Sequence, residues 1–216
     1  MKKVNKLFLL LTLFCMAGAM HAQIAIGPKV GINFGTFRGD DVESEDAENL
    51  LGVTLGAVAD IGITDNFSIM PEVLFFQKGA EVTTFENPLD AEDKTETETT
   101  LNYVEIPVLA KYAFSIGDGP ELFVIGGPSF GIGLGGNISR TGLADVDIDF
   151  EENMLTNFDF SVALGGGISL PVGPGSLIFD IRYLLSLTSI DDSDLDADIK
   201  NNGIGASVGF LFPLSK

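Results

Sequence analysis

Tryptophan is absent from this 216-residue chain, and cysteine and histidine occur once each, as Cys15 and His21. Both lie in the first 22 residues, so the 194 residues that follow contain neither thiol nor imidazole. That remainder cannot form a disulfide. Ser–His–Asp, Cys–His and Asp–His chemistry all need a group it lacks, and zinc sites built on His or Cys fail for the same reason. Basic residues are also scarce: past residue 22, nine Lys and Arg face 31 Asp and Glu, a net charge of −22. Such a chain repels nucleic-acid phosphates and anionic lipid headgroups, so DNA and RNA are not expected as partners. Nowhere after residue 22 is there an apolar run approaching the roughly 20 residues of a membrane-crossing helix.

The first 22 residues read as a secretory signal. Lys2, Lys3 and Lys6 precede a short apolar stretch from Leu7 to Met16, and small residues follow. That layout predicts cleavage after Ala22, with Ala17-Gly18-Ala19 as the alternative site, leaving one domain over 23–216. A lipoprotein reading of Cys15 is disfavoured, because Phe14 precedes it where a small residue is wanted.

Period-2 alternation then predicts eight strands, near 24–37, 50–63, 67–86, 99–115, 121–138, 156–172, 176–189 and 202–212. In the seventh, Leu177, Phe179, Ile181, Tyr183, Leu185 and Leu187 oppose Asp180, Arg182, Ser186 and Thr188. In the last, Ile204, Ala206, Val208, Phe210 and Phe212 oppose Gly203, Gly205, Ser207 and Gly209. Connections alternate in length. Thr64-Asp65-Asn66, Gly117-Asp118-Gly119-Pro120 and Gly173-Pro174-Gly175 are tight turns, and longer polar loops lie near 38–49, 87–98, 139–155 and 190–201. The expected fold is therefore all-β: an eight-stranded antiparallel up-and-down transmembrane β-barrel, with short periplasmic turns and long outer loops.

A soluble lipocalin-like barrel would alternate as well, with its apolar face inward. The Gly- and Ser-rich polar face, its mid-strand charges and the loop asymmetry favour the membrane form, with lipid on the apolar side. Pro28, Pro71, Pro107 and Pro128 fall inside strands, where each predicts a bulge or a local break, and face assignments beyond them are expected to slip if bulges form.

Eight strands enclose a lumen just wide enough to be filled by side chains. Its expected charges are Lys29, Asp60, Glu72, Lys111, Asp180 and Arg182 near the turn end, with Lys78 and Glu105 higher and paired. A structural plug of ion pairs is the expected role, a proton or ion path the sharper alternative. Gly126-Gly127 and Gly165-Gly166-Gly167 lie within strands, with no helix start to bind phosphate. The loops are acidic: Asp40, Asp41, Glu43, Glu45, Asp46 and Glu48 in the first; Asp145, Asp147 and Asp149, followed by Glu151 and Glu152, in the third; Asp192, Asp194, Asp196 and Asp198 in the fourth. Alternate acids on an extended chain share a face, making Asp145, Asp147, Asp149, Asp194, Asp196 and Asp198 candidate Ca²⁺ ligands against the plainer reading of a solvated, repulsive surface. No carboxylate pair is singled out for glycosidase-type work. No cofactor and no catalytic residue are expected.

Two stretches, Met70-Pro71-Glu72-Val73-Leu74-Phe75-Phe76-Gln77-Lys78-Gly79-Ala80 and Leu101-Asn102-Tyr103-Val104-Glu105-Ile106-Pro107-Val108-Leu109-Ala110-Lys111-Tyr112, carry a resemblance to the PorT-like, porin-family outer-membrane β-barrel domain. Gly127-Pro128-Ser129-Phe130-Gly131, Phe179-Asp180-Ile181-Arg182-Tyr183 and Gly209-Phe210-Leu211-Phe212 extend it. The resemblance implies residence in the outer membrane and an eight-stranded fold, and some relatives are linked to secretion. Ser207 to Leu214 resembles the signal read by the barrel-insertion machinery, though it closes on Leu214 rather than an aromatic. The functional expectation is a structural or interaction component of the cell envelope, with a secretion or envelope protein as partner. The alternative is a small diffusion pore or transporter component.

Overall fold

A computed structural model of the chain describes residues 23–39, 47–85, 94–115, 117, 119–150, 152, 154–192 and 198–214. Ten strands run in order: β1 Ile24–Arg38, β2 Ala47–Glu48, β3 Leu50–Gly62, β4 Phe67–Phe85, β5 Lys94–Ser115, β6 Glu121–Arg140, β7 Val146–Ile148, β8 Phe158–Val172, β9 Gly175–Ser186 and β10 Lys200–Pro213. Eight of them form the wall. Chain neighbours pair antiparallel around the ring, and β1 with β10 closes it. Each wall strand thus has two neighbours, which satisfies its backbone polar groups without water, as hydrocarbon requires. The short β2 and β7 add to β4 and β6 beyond the wall at the loop end.

The side-chain alternation has one sense around the ring. Phe179 and Ile181 are 40% and 63% exposed, while the intervening Asp180 and Arg182 are 3% and 5% exposed. The outward set continues with Ile32, Phe34, Leu55, Val73, Leu122, Val124, Ile132, Leu164 and Ile204, all exposed. Apolar side chains face out and polar ones face in, the reverse of a soluble barrel and the arrangement of a membrane one. With no Trp, aromatic residues near the turn end are Tyr and Phe: Tyr112 packs edge-on against Phe114 at 4.9 Å, and the Phe210 and Phe212 rings meet at a tilt with centres 4.7 Å apart.

The prolines break pairing without shifting it. On β1, Ile26 pairs with Phe212 and Lys29 with Gly209, in step across the gap at Pro28. Pro107 pairs with Ser129 and Ala110 with Gly126, again in step. Pro71 keeps its partner Val108, and Pro128 keeps Val162. A missing N–H removes rungs of the ladder but adds no residue, so faces do not slip past any of the four. The register shift that does occur lies elsewhere, at Asn102/Tyr103. It is opposite Gly133 and Gly135, and Gly135 takes φ 130°, a conformation suited to glycine.

Strand ends differ from the alternation limits at the loop side. β5 begins at Lys94 rather than 99, and β6 continues to Arg140. Here Thr95 to Glu98 pair with Thr84 to Glu81, side chains on both faces are at least partly exposed, and no apolar alternation marks a strand. The expected signal segment 1–22 and the acids Asp40, Asp41, Glu43, Glu45, Asp46, Glu151, Asp194 and Asp196 lie outside the described residues.

Candidate functional site

The inward faces stack side chains in layers, from the turn end to the loop end. The alternation of β4 gives the order: Ser68, Met70, Glu72, Leu74, Phe76 and Lys78 all point into the barrel and are buried.

At the turn end is an open vestibule of about 600 Å³. Near its inner end Lys111 donates to Asp60 at 2.5 Å, with its ammonium 5.1 Å from the Phe123 ring centre. Next comes an apolar layer of Val58, Met70, Leu109, Ile125, Ile178 and Leu211, supplied by six strands and buried.

Beyond it lies the first charge cluster. Arg182 donates to Glu72 through both terminal nitrogens at 2.8 and 3.0 Å, and to Asp180 through Nε at 2.8 Å. Lys29 bridges the same two carboxylates, at 2.9 Å to Glu72 and 2.7 Å to Asp180. Ser207 donates to Asp180 at 2.8 Å. Two cations meet two anions, all buried, which is the matching that charges removed from water require. A space of about 10 Å³ beside Lys29, Leu74 and Arg182 is at the limit for one water molecule.

Leu74, Phe76 and Leu184 separate this cluster from a second. There Lys78 pairs with Glu105, and with Asp159 at 2.7 Å. One cation serves two carboxylates, and neutral donors serve the rest. Ser129 donates to Glu105; Ser186, Thr188 and Asn201 donate to Asp159. The Lys78 ammonium also sits 5.0 Å from the Tyr103 ring centre, a cation–π distance.

The loop end is closed by an apolar plug. Ile148 and Phe150, from the third loop, and Ile190, from the fourth, are buried against Leu101 and Tyr103. The Phe150 ring meets Tyr103 edge-on at 5.6 Å. Room for it is left by Gly133, where an added Cβ would lie 2.5 Å from the Phe150 ring tip.

The eight expected lumen charges therefore all face inward, but as three groups. Lys29, Glu72, Asp180 and Arg182 form one, Lys78 and Glu105 belong to another, and Asp60 with Lys111 stands apart. The six charges expected near the turn end divide into two levels, because Val58, Met70 and Leu109 lie between Asp60 with Lys111 and the Lys29–Glu72 group. Asp159 was not among the expected charges. Its inward position was readable from the alternation of β8, but its partners come from β4, β9 and β10 and are distant in sequence. The plug was missed too, although Val146, Ile148 and Phe150 alternate with Asp145, Asp147 and Asp149.

Of the candidate Ca²⁺ ligands, Asp145, Asp147, Asp149 and Asp198 are among the described residues and are not brought together around a metal position. Asp145, Asp147 and Asp149 are exposed, the last accepting from the Glu152 backbone at 3.3 Å, and Asp198 is held by Lys200. Among the described residues no three Asp, Glu, His or Cys side chains gather around a point that would hold a metal ion.

An apolar belt around a lumen filled by buried ion pairs and apolar layers defines a transmembrane β-barrel of the small, filled type. The family model for the outer membrane protein beta-barrel domain matches residues 19–192, and the chain belongs to that family; it is a protein of the outer membrane. No curated protein matches it in sequence. Similar solved structures include Ail, the attachment invasion locus protein of Yersinia pestis (13% identity, 88% of this chain and 99% of that one, TM-score 0.40). Others are Neisserial surface protein A (12%, 85% and 95%, TM-score 0.46) and OprG of Pseudomonas aeruginosa (11%, 90% and 96%, TM-score 0.46). At such identities the likeness concerns the fold alone.

Proposed function

We propose that the protein is a non-catalytic component of the outer membrane that works through contacts of its loops and rim with another envelope protein, its lumen serving as a structural plug. The observation that carries this reading is the unbroken stacking of the lumen: two apolar layers and the loop plug alternate with two buried charge clusters. A solute crossing it would have to strand charges that are now paired, a cost of several kcal/mol for each one. The absence of His and Cys past residue 22 supports a role without catalysis. The secretion-accessory role implied by the PorT-like resemblance belongs to this proposal.

Planar-bilayer recording of the purified barrel is expected to show no steady openings. Regular single-channel steps would instead establish the pore reading. The partner is sought by crosslinking in intact cells: with no native Cys after residue 22, Asp147→Cys gives a unique handle on the exposed loop face. Adducts with envelope proteins are expected.

A further inference from the structure

In the second charge cluster one amine meets two carboxylates, one more than a structural ion pair needs. Lys78, Glu105 and Asp159 are all buried, and the Lys78 Nζ lies 2.7 Å from Oδ2 of Asp159. Apolar side chains close the chamber on both sides. Leu74, Phe76 and Leu184 lie toward the turn end, and the Ile148, Phe150 and Ile190 plug lies toward the loop end. An amine and a carboxyl group held in contact away from water are the reactants of an amide. Positioning of this kind is worth an effective concentration of about 10⁵–10⁸ M, and excluding water suppresses the competing hydrolysis. A buried ion pair also carries a desolvation cost that a neutral amide does not.

The second carboxylate has a part in this chemistry. Glu105 touches the same ammonium, and Ser129 donates to its other oxygen. It is placed to take a proton from nitrogen and deliver it to oxygen. Asp159 is the better electrophile of the two acids. Ser186 and Thr188 both donate to its Oδ1, the oxygen that gathers negative charge as nitrogen adds to Cγ. Asn201 donates to Oδ2, the oxygen that would leave, at 3.4 Å. The other lumen lysines lack this arrangement. Lys29 shares its two carboxylates with Arg182, which stays charged and holds both as anions. Lys111 and Asp60 line the open vestibule, where water competes.

We propose that Lys78 and Asp159 condense in the folded barrel into a side-chain amide, with Glu105 as the proton carrier. The nitrogen lone pair forms the bond from Nζ to Cγ, and the Cγ–Oδ2 bond breaks with its electrons on oxygen. Nζ gives up two of its three hydrogens, which Glu105 passes in turn to Oδ2, and that oxygen leaves as water. Ammonium and carboxylate thus become amide and water with no change of net charge, and Glu105 returns to its starting state. The bond ties β4 to β8 across the lumen, a strut between strands that are not neighbours in the ring.

The test is tryptic digestion of the protein recovered from membranes and then denatured, read by mass spectrometry. Trypsin does not cut at an acylated lysine, so residues 39–94 are expected to stay joined to residues 141–182. The product is expected to be lighter than the two peptides together by one water, with fragmentation placing the bond at Asp159. The same chain isolated unfolded from inclusion bodies is expected to be unlinked, and the linked product to grow in after refolding. Glu105→Gln is expected to refold, as read from heat-dependent mobility on a gel, and to stay unlinked. Should it fail to refold, Glu105→Asp takes its place and is expected to slow linkage about tenfold or more, because the carrier falls short of its partners. The proposal is overturned if Lys78 is cut and residues 39–78 and 141–182 are recovered separately. It is equally overturned if the bond lies at Glu105, if the unfolded chain is already linked, or if the Glu105 variant links as fast as the parent.

Discussion

Glu72 is the residue on which the lower lumen turns. It accepts from Lys29 and from two nitrogens of Arg182, so Glu72→Ala leaves two cations facing Asp180 alone. Removing one member of a buried ionic group costs about 3–5 kcal/mol. Urea unfolding of the refolded barrel is expected to show a loss of that size. Asp60→Asn, beside the watered vestibule, is expected to cost much less, about 1 kcal/mol, because Lys111 can turn to solvent. Equal losses for the two would contradict the layered lumen. At this scale the sequence showed which charges face inward, since period 2 fixes the face once a strand is recognised. Beyond the pair of Lys78 with Glu105, which lie at similar heights on adjacent strands, it did not show which charges touch. Asp159 and Lys78 are 81 residues apart, and only the closed ring puts them in one layer.

Among the elements, β9 states the orientation most sharply, and a charge placed on its outer face tests it. Ile181 lies midway along the strand, so Ile181→Arg is expected to destabilise by about 2–4 kcal/mol, and Phe212→Arg near the turn end by about 0–1 kcal/mol. The same unfolding experiment in lipid vesicles reads both. A second prediction concerns β7 and the plug. Gly133→Ala places a methyl group against the Phe150 ring, and overpacking of this kind costs about 1–3 kcal/mol. Phe150 is expected to leave its seat, and amide exchange at Ile148 and Phe150 to quicken, with β8 and β9 unchanged. Uniform exchange rates in the variant and the parent would dismiss the plug. Elements in the membrane were legible because lipid on one side and a polar lumen on the other force alternation. The outer ends of β4, β5 and β6 lack that contrast. Their Thr- and Glu-rich pairs are extended for reasons that composition does not display.

At the scale of the whole molecule, export precedes everything else. Mass spectrometry of the protein recovered from membranes is expected to find Gln23 at the amino terminus. A start at Met20, after the Ala17-Gly18-Ala19 site, would move the processing point, and an uncleaved chain would remove the signal reading. What the sequence determined by itself is the class: eight alternating segments and unequal connections follow from side-chain period and turn-forming residues, which are local properties. What the tertiary structure decided is the lumen: three separate charge groups, an apolar plug and an open vestibule. Those depend on which residues of different strands share a height, and height is set by the registers of all eight pairings around the closed ring, a quantity that no single segment contains.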